Sequence, residues 1–178
     1  MILLAIFNCL IYNLYHKWWI VVKSSGKWIN MFLFWGCTFM LIGQYQHTID
    51  AKGRVIVPVK FREDLGDHFY ITKGLDGCLF VLSENEWSHL SQKIHSMPIS
   101  KSRSLQRFFF SGAAEADVDK QGRILIPKQL RDYANLEKEI VFVGTSSRAE
   151  IWDSAKWDLF NNQLNEENIE EAMDFLGI

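Results

Sequence analysis

The 178-residue sequence predicts an α+β fold, mainly β, built as two pseudo-symmetric halves with flanking helices. Three observations carry this expectation. The chain contains an internal repeat, each copy alternates short apolar β-branched runs with turn residues, and each copy places a Pro before a short helical pattern. GQYQHTIDAKGRVIVP (residues 43–58) aligns with GAAEADVDKQGRILIP (residues 112–127) at an offset of 69. Gly43 and Gly112, Asp50 and Asp119, Gly53 and Gly122, Arg54 and Arg123, and Pro58 and Pro127 match. Arg62 and Arg131 follow at the same offset, and Gly74 with Gly144 and Trp87 with Trp157 follow after one inserted residue. The copies occupy roughly residues 43–88 and 112–158.

The elements of a copy follow in order. A short strand leads to Asp-x-x-Gly, where the Asp carboxylate caps a turn and Gly takes a positive φ. Residues 54–57 and 123–126 are apolar and β-branched after their Arg, which favours a second strand. Pro58 and Pro127 have no N–H for a ladder, so they end that strand, and they suit the entry to a helix. VKFREDL and KQLRDYA then supply one to two helical turns. HFYITKG and CLFVL, joined by the Asp76-Gly77 turn, give two more strands in the first copy; EIVFVG and AEIWD give the second pair. Each copy closes with a helix carrying Trp87 or Trp157 and capped by Ser83 or Asp153. Between the copies, residues 89–110 are helical around a break at Met97-Pro98. Residues 165–177 form a short acidic helix with five acids and no Lys or Arg. A unit of this size buries little surface alone, so the two copies close a shared core, with room for further oligomerisation.

The resulting domains are a hydrophobic extension (1–39), a first unit (44–87), a helical linker (88–111), a second unit (115–158) and the acidic tail (159–178). The extension obeys a different composition from the rest. It holds 27 apolar residues, four of the seven Trp, two of the three Cys, three Lys and no acid. Its apolar runs are interrupted by Asn8, Asn13, Lys17 and Lys23, and no basic residue precedes the first, so it does not fit a secretory signal. An anchor over residues 1–22 requires Lys17 to snorkel to the membrane interface. Three cysteines make no disulfide framework, and Cys78, between Gly77 and Leu79, is expected to pack as a small apolar residue.

Chemistry is sparse. His47, His68, His89 and His95 show no ligand spacing with Cys or a carboxylate, and no nucleophile elbow, P-loop or dinucleotide fingerprint occurs. Neither an enzyme nor a metal or cofactor site is expected. The repeated Asp-x-x-x-Arg motif stands out instead: Asp50 to Arg54 and Asp119 to Arg123, with Lys52 and Lys120 in the same turns. Two readings remain open. Asp pairs with Arg to fix a tight hairpin, or Arg makes the forked contact with phosphate or guanine to which a guanidinium is suited. Lys93, His95, Lys101, Arg103 and Arg107 lie in a span without acids from Ser88 to Ala114, suited to phosphates or to a solvated helix face. Phe108-Phe109-Phe110 is expected in the core. A formal charge of −2 argues against a nonspecific nucleic-acid coat and does not exclude a reader whose basic residues share one surface.

With these residues in view, the chain from Met40 onward resembles the MraZ family of bacterial transcriptional regulators, which carry two AbrB-like (SpoVT-AbrB) domains. The matching stretches are GQYQHTIDAKGRVIVPVKFRE, TKGLDGCLFV, Glu86-Trp87, RFFFSGA, DKQGRILIP, LRDYA and EIWDSAKW, in the family's order across nearly all of residues 40–160. The resemblance implies a swapped-hairpin AbrB-type barrel, a ring-shaped homo-oligomer, and double-stranded DNA as partner. It implies repression through short promoter direct repeats upstream of the division and cell-wall gene cluster, the regulator's own gene included. It also implies a cytoplasmic, nucleoid-associated protein with no small-molecule substrate. Arg54 and Arg123 fall on the family signature as DNA-binding candidates, with Lys52 and Lys120 beside them; Asp50, Gly53, Asp119 and Gly122 shape the turns. Members begin with Met, one or two residues and Gly-x-Tyr, as Met40-Leu41-Ile42-Gly43-Gln44-Tyr45 does. The expectation is therefore a start assigned upstream of the true one, with an anchor or hydrophobic arm as the alternative. A membrane-tethered or protein-partner module without a DNA role is the competing function.

Overall fold

The computed structural model describes residues 10–14, 17–24, 27–32, 40–163 and 173–174. The chain divides into two units, Met1–Thr38 and Phe39–Ile178. In the first, β1 (Leu10–Leu14), β2 (Lys17–Ser24) and β3 (Lys27–Phe32) pair antiparallel in the order β1-β2-β3, with Leu14 opposite Lys17 and Ser24 opposite Lys27. The described residues of this segment are strand. The cause lies in composition, because Trp18-Trp19-Ile20-Val21-Val22 is aromatic and β-branched. Among the described residues, no helix is long and apolar enough to cross a membrane.

The second unit begins with β4 (Leu41–Thr48), β5 (Arg54–Ile56), α1 (Val59–Leu65), β6 (His68–Lys73) and β7 (Leu79–Ser83). Helices α2 (Glu84–Ser96) and α3 (Ile99–Phe110) follow, then β8 (Ala114–Asp117), β9 (Arg123–Leu125), α4 (Lys128–Ala134), β10 (Glu139–Ser146), β11 (Ala149–Asp153) and α5 (Ser154–Asn162). The chain is extended at Met97 and Pro98 between α2 and α3, as Pro requires of its predecessor. Asp76 and Gly77 both take positive φ in the tight turn between β6 and β7. Ser83 Oγ accepts from Glu86 N at 3.3 Å and Asp153 Oδ1 from Lys156 N at 3.3 Å, capping α2 and α5. The acidic helix expected at 165–177 lies almost wholly outside the described residues.

Six strands form one antiparallel sheet in the order β4-β10-β11-β7-β6-β8, and β5 pairs with β9 in a separate two-stranded ribbon. Exchanging equivalent strands of the two copies (β4 for β8, β6 for β10, β7 for β11) returns the same order reversed. A pseudo-twofold axis therefore passes between β7 and β11. Each copy's first strand pairs outside its own copy: β4 lies on β10 and β8 on β6. Neither copy can complete its sheet without the other.

The interior strands are apolar on both faces, which explains continuous runs such as LFVL and IVFV. Alternate residues feed two clusters. Phe69, Ile71, Leu79, Val81, Ile140, Phe142 and Ile151 face one cluster, joined there by Val55, Val57, Phe61, Ile124, Ile126 and Leu130 from the ribbon and from α1 and α4. Phe80, Leu82, Val141, Val143 and Trp152 face the other, covered by Trp87, Leu90, Phe109, Trp157 and Phe160 from α2, α3 and α5. Each fully buried side chain of this size contributes about 1.5–3 kcal/mol. Cys78 belongs to the second cluster, donates its Sγ–H to the Leu75 carbonyl at 3.1 Å, and has its thiol pushed up to about 12 by burial. It is an apolar filler with no thiolate character.

Candidate functional site

The ribbon brings the repeated motifs together. Each turn begins with an Asp whose carboxylate is held by its own loop. Asp50 Oδ1 accepts from Lys52 N at 2.8 Å and Arg54 N at 2.9 Å, while Asp50 Oδ2 accepts from Arg54 Nε at 2.7 Å. In the second copy, Asp119 Oδ1 accepts from Gln121 N at 2.8 Å and Arg123 N at 2.9 Å, and Oδ2 from Arg123 Nε at 2.9 Å and Nη2 at 2.7 Å. Arg54 Nη2 also lies 2.7 Å from Asp50 Oδ2. The charge-assisted bonds drop both carboxyls to about 2; the leading cause is the Arg54 backbone N–H for Asp50 and the Arg123 side chain for Asp119. An ion pair thus closes each Asp-x-x-x-Arg turn. It does not consume the arginine, because Nη1 and the outer proton of Nη2 remain for another acceptor.

Gly53 and Gly122 adopt φ of 82° and 76°, and their N–H groups donate to the Asp50 and Asp119 carbonyls at 2.9 and 2.8 Å. They also tie the two turns to each other. Val57 N donates to the Gly122 carbonyl and Ile126 N to the Gly53 carbonyl, each at 2.9 Å, extending the β5–β9 pairing. In that ladder Arg54 stands opposite Leu125, Val55 opposite Ile124, and Ile56 opposite Arg123. Val55 and Ile124 turn inward and are 1% exposed, leaving Arg54, Ile56, Arg123 and Leu125 on the outer face. Lys52 and Lys120 stand exposed in the turns at either end.

Two further residues, Arg62 and Arg131, reach this site. A Cβ added to Gly53 would sit 2.9 Å from Arg131 Cζ, and one added to Gly122 would sit 2.7 Å from Arg62 Nη1. The guanidinium of each copy's helix thus lies over the glycine turn of the other. Arg131 Nε donates to the Ile126 carbonyl at 3.0 Å, whereas Arg62 Nε is buried with no hydrogen-bond partner among the described residues. The signal was present, since Arg62 and Arg131 match at the repeat offset, but the crossing between copies is not written in local spacing.

The basic span on α2 and α3 is not part of this surface. Lys93, His95, Lys101, Arg103 and Arg107 are exposed, on helices that pack through Trp87, Leu90 and Phe109 against the sheet face opposite the ribbon. Phe108, Phe109 and Phe110 pack on one another's neighbours (Tyr133, Phe80 and Trp87) rather than presenting a stacking platform. Arg148 pairs with the buried Glu150, which also accepts from Trp152 Nε1 at 3.0 Å. No group of three His, Cys, Asp or Glu suited to a metal occurs among the described residues.

A family model described as "MraZ protein, putative antitoxin-like" matches residues 40–107 and again residues 109–175. The chain is 54% identical over 143 residues to a protein of Acetivibrio thermocellus, covering 78% of this chain and 100% of that protein. It is 52% identical over 143 residues to one from a Thermoanaerobacter species, with the same coverage, and 53% identical over 142 residues to one from Desulforamulus reducens, covering 77% and 100%. All three relatives carry the name "Transcriptional regulator MraZ", and none is named as an enzyme.

Proposed function

The chain belongs to the MraZ family, and from that premise we propose that it is a sequence-specific DNA-binding transcriptional regulator whose DNA surface is the outer face of the β5–β9 ribbon with its two turns. One observation carries the assignment of the surface: strand pairing sets the signature arginines of both copies on one face, diagonally across the ribbon, each oriented by its own Asp and each with donors to spare. Arg54 and Arg123 make the forked contacts to phosphate or guanine, and Lys52 and Lys120 add phosphate contacts from the turns. Asp50, Gly53, Asp119 and Gly122 hold that geometry. Arg62 and Arg131 extend the basic surface from behind the glycines.

The finer reading follows the family. The strands close into a swapped-hairpin barrel, copies assemble into a ring, and the ring engages short direct repeats upstream of the division and cell-wall genes, its own included. Few contacts per subunit suffice, because binding several repeats at once raises affinity without a large basic charge on each chain. Occupied repeats hide the promoter and repress it, in the cytoplasm at the nucleoid. A gel shift at fixed salt on a promoter carrying tandem repeats tests the surface. Arg54→Ala or Arg123→Ala should weaken binding roughly tenfold or more, the worth of one forked base contact, with assembly size unchanged. Unchanged binding, or an assembly that falls apart, overturns the assignment.

A further inference from the structure

We infer that Ile56 and Leu125 read thymine methyl groups in the major groove. The inference rests on the DNA surface proposed above and adds the part of it that charge does not supply.

The outer face of the ribbon has four side chains, two of them aliphatic. Ile56 is 48% exposed and Leu125 56%. Each stands directly opposite an arginine, Ile56 facing Arg123 and Leu125 facing Arg54, at the Cβ separation of about 5 Å usual for such pairs. The core has no use for either, since Val55 and Ile124 already close it from the ribbon's inner face at 1% exposure. A surface meant only for phosphate would be filled with polar donors. This one alternates a forked donor with an aliphatic group on both strands, and the pseudo-twofold axis repeats the arrangement.

That pattern matches the major groove. The groove admits a two-stranded β-ribbon, its guanine edges take an arginine fork, and its one apolar feature is the C5-methyl of thymine. An arginine anchored on phosphate or guanine would press the aliphatic group opposite it against a neighbouring methyl. A second copy of the chain would cover the apolar pair equally well, but would have to bring acids to the two arginines, whereas DNA brings the complementary charge itself.

Uracil differs from thymine only by that methyl and keeps every hydrogen-bonding edge, so it isolates the contact. The full chain is used to select duplexes from a random pool, and the selected duplex is remade with deoxyuridine at each thymine in turn. Removing the contacted methyl should weaken binding roughly fourfold, the worth of burying one such group. Ile56→Ala and Leu125→Ala should each bind less tightly and lose the thymine preference at one position, with assembly mass unchanged. Equal binding of thymine and uracil duplexes by the unaltered chain overturns the inference and leaves the DNA surface standing. The same holds if both variants keep the preference. Variants that disperse the assembly also overturn it, because the face is then an interface between copies. A pool from which no sequence is enriched overturns the proposed function, and this inference with it.

Discussion

In the first turn Asp50 is followed by Ala51 and Lys52, and in the second Asp119 is followed by Lys120 and Gln121. The carboxylates, glycines and arginines coincide, and so do their hydrogen bonds, to within a few tenths of an ångström. The lysine does not: it moves by one position. Identity is kept where backbone geometry depends on it, and charge is placed more freely, since an exposed ammonium works from a range of positions. The second contrast lies behind the turns, where Arg131 is tethered to the Ile126 carbonyl and Arg62 Nε has no partner. The halves are symmetric in fold and unequal in how firmly each glycine turn is backed.

The largest effect that probes this inequality comes from the glycines. Alanine at position 53 or 122 must take a positive φ, a strain of about 1–3 kcal/mol, and must displace a guanidinium. Arg62 has no hydrogen bond at Nε to give up, while Arg131 must break its bond to Ile126. Gly53→Ala should therefore destabilise more than Gly122→Ala in urea unfolding of the full chain. Equal losses would show that the two turns are backed alike, and reversed losses that Arg62 holds its turn the more firmly.

Removing the backing residues gives a smaller effect. Arg131→Leu forfeits a hydrogen bond worth about 0.5–1.5 kcal/mol and leaves the Ile126 carbonyl wanting. Arg62→Leu keeps the aliphatic stem and discards a buried donor that had no partner. Melting temperatures should fall more for the first variant than for the second, and a larger fall for Arg62→Leu would contradict the contrast drawn from the two Nε atoms.

These contrasts also mark how far the sequence could be followed. The repeat, the turn residues and the strand runs were legible because they are local: Asp-x-x-Gly forces a turn wherever it occurs, and LFVL must be buried on two faces. The partner of each strand was not. Nothing in GQYQHT says that β4 lies on β10 of the other copy, since any edge with matching pleat would satisfy it locally. The same exchange puts Arg62 over Gly122 and Arg131 over Gly53, so a residue whose repetition was plain in the sequence acquired its place only in three dimensions. The outward face of the ribbon was half legible. Its arginines stand out by type, whereas Ile56 and Leu125 pass for core until the register turns them to solvent.

The subtlest test concerns the carboxylates. Both sit at about 2 in the folded chain against an ordinary 3.8, so the native state holds fewer of these protons than the unfolded chain between those values. The stabilisation they provide is complete above about pH 4 and is lost as pH falls through about 2. The route to that shift differs: the Arg54 backbone N–H leads for Asp50, and the Arg123 side chain leads for Asp119. A glutamine in place of the arginine keeps the backbone donor and removes the guanidinium. Arg123→Gln should therefore raise the Asp119 titration further than Arg54→Gln raises that of Asp50, followed by carboxyl carbon NMR on the full chain. The acid limb of the stability curve should flatten in the same order. If Asp50 moves as far as Asp119, the side chain governs both turns, and the first arginine is bound to its carboxylate as firmly as the second.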